Sequence, residues 1–170
     1  MFENGYVRDD FISPSLGKMT FQEVVNRIKD TVNKFPHDEF RITVGTDSQN
    51  FDITKIVLVI VLEHVGKGSI FFYQITKVNI IRDIRTKLFT ETQISLECAD
   101  KLIKILEKEY EDNGFDYTKL GFAIHVDAGR NGKTNVVIPE IVGWVTSCGY
   151  DCVTKPDSYA ASSVADKYSK

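Results

Sequence analysis

Residues 41–49 read "RITVGTDSQ", a β-branched, apolar run that ends in Gly45-Thr46-Asp47-Ser48. Such a run reads as a buried strand, yet it delivers a carboxylate at its end. The pattern returns at residues 121–129, "GFAIHVDAG", where Asp127 closes a second apolar run just before a glycine. Two core strands with an aspartate at the same end call for one explanation.

Upstream, "TFQEVVNRIKDTVNKF" (20–35) sets Thr20 and Glu23 at capping-box spacing and Phe21, Val24, Val25, Ile28 and Val32 on one face, which predicts an amphipathic helix. The "PHDEF" segment (36–40) ends it. Downstream of the first strand, "KIVLVIVLEHV" (55–65) is too uniformly apolar for a strand with one wet face, and "GKG" then turns the chain into "SIFFYQITKV" (69–78). Three strands on short links predict an antiparallel meander. The next helix is expected over "TETQISLECADKLIKILEKEYEDNG" (90–114), with Thr90 and Gln93 as its capping pair and Gly114 as its stop. Then come the strand "LGFAIHVD", a helix around "PEIVGWVTSCG" with Pro139 in its first turn, the strand "DCVTKP" and a last helix, "SYAASSVADKYS".

This order predicts an α/β fold with a mixed five-stranded sheet, three antiparallel strands followed by parallel ones, and helices on both faces. A chain of 170 residues is expected to be one domain over 1–170, with an N-terminal extension and helix (1–36) before the core (40–170). In such sheets, ligands gather beyond the carboxyl ends of the strands.

Composition narrows the class. The 42% hydrophobic and 26% charged fractions are those of a globular protein, and four prolines with eleven glycines leave no room for a long unfolded tract. No apolar stretch reaches the ~18 residues of a spanning helix, and "MFENGYVRDDFISPS" has neither the basic start nor the apolar run of a signal peptide. A cytoplasmic protein without a membrane partner is expected. Three cysteines fit neither a disulfide framework nor a four-ligand zinc site, so reduced, buried thiols are expected. A net charge of −3 and a pI near 5.6 argue against a broad basic surface and leave room only for a local one.

If the two aspartate strands are neighbours, Asp47 and Asp127 face one another. Carboxylates held close repel, and a shared proton or a bound cation relieves them. Oxygen ligands without histidine or cysteine pairs favour Mg²⁺ or Mn²⁺ over zinc. Glu91 is a third candidate, because it shares a helical face with Ile94, Ser95, Cys98 and Leu102, whereas Glu97 falls with Asp100, Lys101 and Lys104 and is held in reserve. The fourth comes from "KPDSYAASSVADKYS". Counting from Tyr159, Ala160, Ala161 and Val164 excludes Asp166 from the apolar face, so Asp157 leads and Asp166 is second. Each residue also has a plain structural use: Asp47 as a turn residue, Glu91 as a helix-dipole partner, Asp127 as the start of the "DAGRNGK" loop, Asp157 as an N-cap. Their joint placement at one end of one sheet favours the metal-binding use.

The arrangement resembles a ribonuclease H-like fold. More closely, "VGTDSQ", "HVDAG" and "KPDSYAASSVADK" resemble the bacterial YkuK-like family of that class, over nearly the whole chain. The resemblance implies that Asp47, Glu91 and Asp127 are catalytic metal ligands, with Asp157 or Asp166 completing the set. The last string is also similar to the "KAD…AAS…AK" pattern of type 2 ribonucleases H, which favours Asp157. Gln49 and Asn50 stand where type 1 enzymes continue with glycines, and there is no evident histidine loop before the last helix. The implied activity is two-metal hydrolysis of a phosphodiester in RNA, an RNA–DNA hybrid or structured DNA, with Mg²⁺ or Mn²⁺ as cofactor. Ser48, Arg82, Arg85 and Lys87 before Glu91, and Arg130 and Lys133 after Asp127, are the candidate contacts to a nucleic-acid partner. His125 alternates onto the Asp127 side of its strand and is read as a packed core residue rather than a proton shuttle. The alternative is a non-catalytic nucleic-acid- or protein-binding module that keeps the fold.

Overall fold

The computed structural model describes residues 5–129 and 132–170. At its centre lie three long antiparallel strands, β3 (Phe40–Asn50), β4 (Thr54–His64) and β5 (Gly68–Val78), paired in unbroken register from Phe40↔His64 to Asn50↔Thr54 and from Thr54↔Val78 to His64↔Gly68. Strands β6 (Gly121–His125) and β7 (Asp151–Val153) add in parallel on the β3 side. The five strands read from the sequence are these.

The sheet has seven strands rather than five. Two short ones, β1 (Phe11–Ser13) and β2 (Gly17–Met19), form a hairpin that extends the β5 edge and gives the order β2-β1-β5-β4-β3-β6-β7. The N-terminal extension thus covers an edge that would otherwise present unpaired backbone groups. Glu97 fastens it, accepting hydrogen bonds from the backbone N–H of Tyr6 (3.0 Å) and Val7 (3.2 Å). Gly5, at φ 87°, passes so close to the Glu97 carboxylate that any Cβ there would collide with it. Glu97, the reserve third acid, is thus engaged by the N-terminal extension.

Two helical layers cover the sheet. Residues 56, 58, 60 and 62 of β4 face the main core with Ile42, Val44 and Ile124, under α1 (Phe21–Lys34), α2 (Ile84–Asn113) and α3 (Ile138–Ser147). Val57, Val59 and Val61 face the other way, against Ala160, Ala165 and Tyr168 of the C-terminal helical segment. The apolar run of β4 is uninterrupted because both of its faces are covered. The capping box of α1 forms as expected, with Thr20 Oγ1 accepting from Glu23 N–H.

Helix α2 begins two turns earlier than the sequence reading placed it. Asp83, not Thr90, caps it by accepting from Thr86 N–H (2.9 Å), so Arg85 and Lys87 belong to the helix and Glu91 stands beyond its first turn. Gly114 ends it in the left-handed conformation, at φ 70°. The cysteines are free thiols, but only Cys98 is buried; Cys152 is half-buried and Cys148, at the end of α3, is exposed. Among the described residues no helix is long and apolar enough to cross a membrane.

Candidate acidic site at the carboxyl end of the sheet

The parallel register Arg41↔Gly121 to Gly45↔His125, carried two residues further, sets Asp47 opposite Asp127. Alternation along β3 then sorts the side chains. Thr46 and Ser48 point to the α2 face, where Thr46 Oγ1 meets Ser95 Oγ at 2.7 Å and Ser48 Oγ donates to Glu91 Oε1 at 3.2 Å. Asp47 points to the opposite face and accepts from Ser169 Oγ at 2.8 Å. Ser48, expected at the substrate, is buried under Glu91.

Two of the carboxyls, Asp47 and Glu91, are held above the usual carboxylate range. Burial is the largest cause for Asp47, whose carboxyl is pushed up to about 7; the neighbouring charges of Asp127 and Asp166 add to this and the Ser169 hydroxyl opposes it. Glu91 is held well above the usual carboxylate range, first by burial and then by Asp47 and Asp127, against the counter-effect of Lys87 and Ser48. Lys155 answers part of this charge with an ion pair from its Nζ to Asp127 Oδ1 at 2.9 Å.

Of the two candidates for the fourth acid, Asp166 is the one whose charge acts on Asp47. Asp157 is exposed in the turn after β7, near His125. The helical count that ranked Asp157 over Asp166 assumed a regular α-helix. Residues Ala160–Ala165 wind as a π-helical turn before the α-helical Asp166–Ser169 (α4), so a 3.6-residue count misplaces every position beyond the turn. His125 is buried, accepts a hydrogen bond at Nδ1 from Ala160 N–H (3.1 Å) and stands edge-on to Tyr159. Burial pushes it down to about 4, so it is neutral near pH 7.

The basic residues divide. Lys87 is half-buried and its charge acts on Glu91, whereas Arg85 is exposed, pairs with Glu140 at 2.7 Å and lies over the Phe89 ring. Arg82 is exposed. Lys133 lines a cleft of about 1110 Å³ that begins at Asp127 and runs past Thr134, Thr154, Lys155 and Asp157. Arg130 lies outside the described residues. Lys155 and Ser169 escaped the sequence reading. Lys155 was within reach of it, standing two residues before Asp157 and just past the strand that parallels β6, but no sequence signal marked Ser169.

A hard divalent ion fits the donor chemistry: oxygen ligands only, and more negative charge than one lysine balances. Among the described residues no three His, Cys, Asp or Glu side chains stand in a metal-ligating arrangement. Glu91 and Asp166 approach from opposite faces of the sheet, and Asp127 is engaged by Lys155.

A meander carrying Asp47, a long helix carrying Glu91 and a parallel strand delivering Asp127 define a ribonuclease H-like protein. The family described as Ribonuclease H-like matches residues 23–170, and the chain belongs to it. Within that family it is similar to the Uncharacterized protein YkuK of Bacillus subtilis (strain 168), with 34% identity over 166 residues, 94% of this chain and 96% of that protein. No solved structure matches the chain.

Proposed function

We propose that the protein is a divalent-metal-dependent nuclease that hydrolyses phosphodiester bonds in RNA, RNA–DNA hybrid or structured DNA. One observation carries this reading: buried Asp47 faces Asp127 at the carboxyl end of the sheet, with Asp166 and Glu91 close enough for their charges to be felt. Asp47, Asp127, Asp166 and Glu91 are the residues that would hold Mg²⁺ or Mn²⁺. Bound there, such an ion supplies an activated water and stabilises the oxygen that leaves the phosphorus. The chain's own work is orientation. Ser169 fixes one Asp47 oxygen, Ser48 fixes Glu91, and the strand register holds Asp47 and Asp127 opposite each other. His125, neutral and bonded to the Ala160 amide, positions the last helix rather than carrying a proton.

A second reading, a nucleic-acid-binding module without turnover, is favoured by the absence of a ligating triad among the described residues and by the Lys155 ion pair on Asp127. The test is cleavage of labelled RNA, hybrid, single-stranded DNA and branched DNA with Mg²⁺ or Mn²⁺, by wild type, Asp47→Asn and Asp127→Asn. Cleavage by wild type alone supports the nuclease. Binding without cleavage by a metal-loaded wild type favours the module.

A further inference from the structure

The ammonium of Lys155 occupies a place that the fold prepares for it. After β7 the chain stays in parallel pairing with the end of β6: Val126 N–H donates to Val153 O and Lys155 N–H donates to Ala128 O, both at 2.8 Å. These two bonds bracket Asp127, so Lys155 is carried to it by backbone register. Its stem lies against Gly129, where an added Cβ would come within 3.1 Å of Lys155 Cβ. The head meets Asp127 Oδ1 at 2.9 Å while the side chain remains 49% exposed. A pair this exposed is worth little, about 0–1 kcal/mol, and an ion of twice the charge with several oxygen ligands can replace it.

The same lysine lines the cleft beside Asp127. Among the described residues, that wall carries Lys133 and Lys155 against Asp127 and Asp157, a balanced set. A divalent ion on Asp127 would neutralise that carboxylate and leave Lys133 and Lys155 against Asp157 alone, so that the cleft would attract an anion.

We propose that Lys155 is the resident cation of the acid cluster, displaced from Asp127 by a divalent ion and then free to take a backbone phosphate of a nucleic-acid strand in the cleft. This rests on the metal-binding part of the function proposed above and adds a coupling to it. Metal entry and strand binding favour each other, each raising the affinity for the other by the same factor.

The test is Mn²⁺ titration followed by electron paramagnetic resonance, without nucleic acid, on wild type, Lys155→Met and Lys155→Arg. Methionine keeps the stem and removes the charge. Lys155→Met is expected to bind Mn²⁺ up to about fivefold more tightly than wild type, and Lys155→Arg to stay near it. Anisotropy of a labelled phosphorothioate oligonucleotide then reads the second half: Mn²⁺ should strengthen its binding to wild type about tenfold, and to Lys155→Met by less than half that factor. Equal Mn²⁺ affinity in wild type and Lys155→Met overturns the displacement. Equal strengthening of oligonucleotide binding in the two overturns the phosphate role. No Mn²⁺ binding by any of the three overturns both this inference and the metal-dependent nuclease. Tighter Mn²⁺ binding by Lys155→Met with no cleavage of any substrate supports the inference and overturns the nuclease alone.

Discussion

Asp47 is where fold stability and the proposed chemistry oppose each other. Its carboxyl is raised from 3.8 to about 7, chiefly by burial and further by Asp127 and Asp166, so the folded chain holds a proton that the unfolded chain releases. The stabilisation from that proton is complete below about pH 4 and is lost as pH rises through about 7. An amide in place of the carboxyl carries no charge at any pH, so Asp47→Asn should be worth about 2 kcal/mol more relative to wild type at pH 8 than at pH 5. Urea unfolding of both proteins at the two pH values checks this, and an advantage that does not grow with pH rules it out. Ser169→Ala works in the other direction. The hydroxyl donates to Asp47 Oδ2, so its loss should cost about 1–2 kcal/mol at pH 8, where the carboxylate is charged, and less at pH 5. Asp47 and Asp127 were legible in the sequence because strand alternation and parallel register are short-range rules that survive in the structure. Ser169 was not, since its value depends on a contact 122 positions away.

At the level of elements, two departures from regular periodicity decide what the sequence conceals. The π-helical turn Ala160–Ala165 sets the phase of the last helix, bringing Ser169 to Asp47 and Tyr168 onto Tyr73 at a ring separation of 4.1 Å. Deleting the exposed Ser163 would restore α-helical spacing and rotate everything beyond it by about 100°. The deletion should lose both contacts and cost at least about 2 kcal/mol, read by thermal unfolding and by the tyrosine near-UV signal. An unchanged melting curve would show that the turn does not set this phase. The β1–β2 hairpin was hidden for another reason: each strand has three residues, and only Phe11, Ser13 and Met19 are buried, too few for a period to register. What holds it is a side chain on another element. Glu97→Ala removes the acceptor of the Tyr6 and Val7 amides and should cost about 1–3 kcal/mol, with faster amide exchange in residues 11–13 and along the β5 edge. Retained protection there would mean that the Arg8 and Gln74 hydrogen bonds suffice to hold the segment.

Across the whole molecule, the acids are divided between the two layers that sandwich the sheet. Glu91 belongs to the α2 layer through Ser48, Asp166 and Ser169 to the C-terminal layer on the other face, and Asp47 and Asp127 to the strand ends between them. A helix-face count suits Glu91 on the regular α2, whereas for Asp166, ranked second to Asp157, the π-helical turn upsets the count. A cation held by these residues would cross-link the two layers. Mg²⁺ or Mn²⁺ at about a hundred times its dissociation constant should therefore add about 2.7 kcal/mol and raise the unfolding midpoint of a chain this size by roughly 5–10 °C. At one fixed ion concentration the rise should be larger at pH 8 than at pH 5, because at the lower pH a proton already occupies Asp47 and the ion must displace it. Asp47→Asn and Asp127→Asn should each lose most of it, while Glu97→Ala, on the far side of the α2 attachment, should keep it. A rise of equal size at both pH values, or one retained in the two aspartate variants, would place the bound ion somewhere other than the carboxyl end of the sheet.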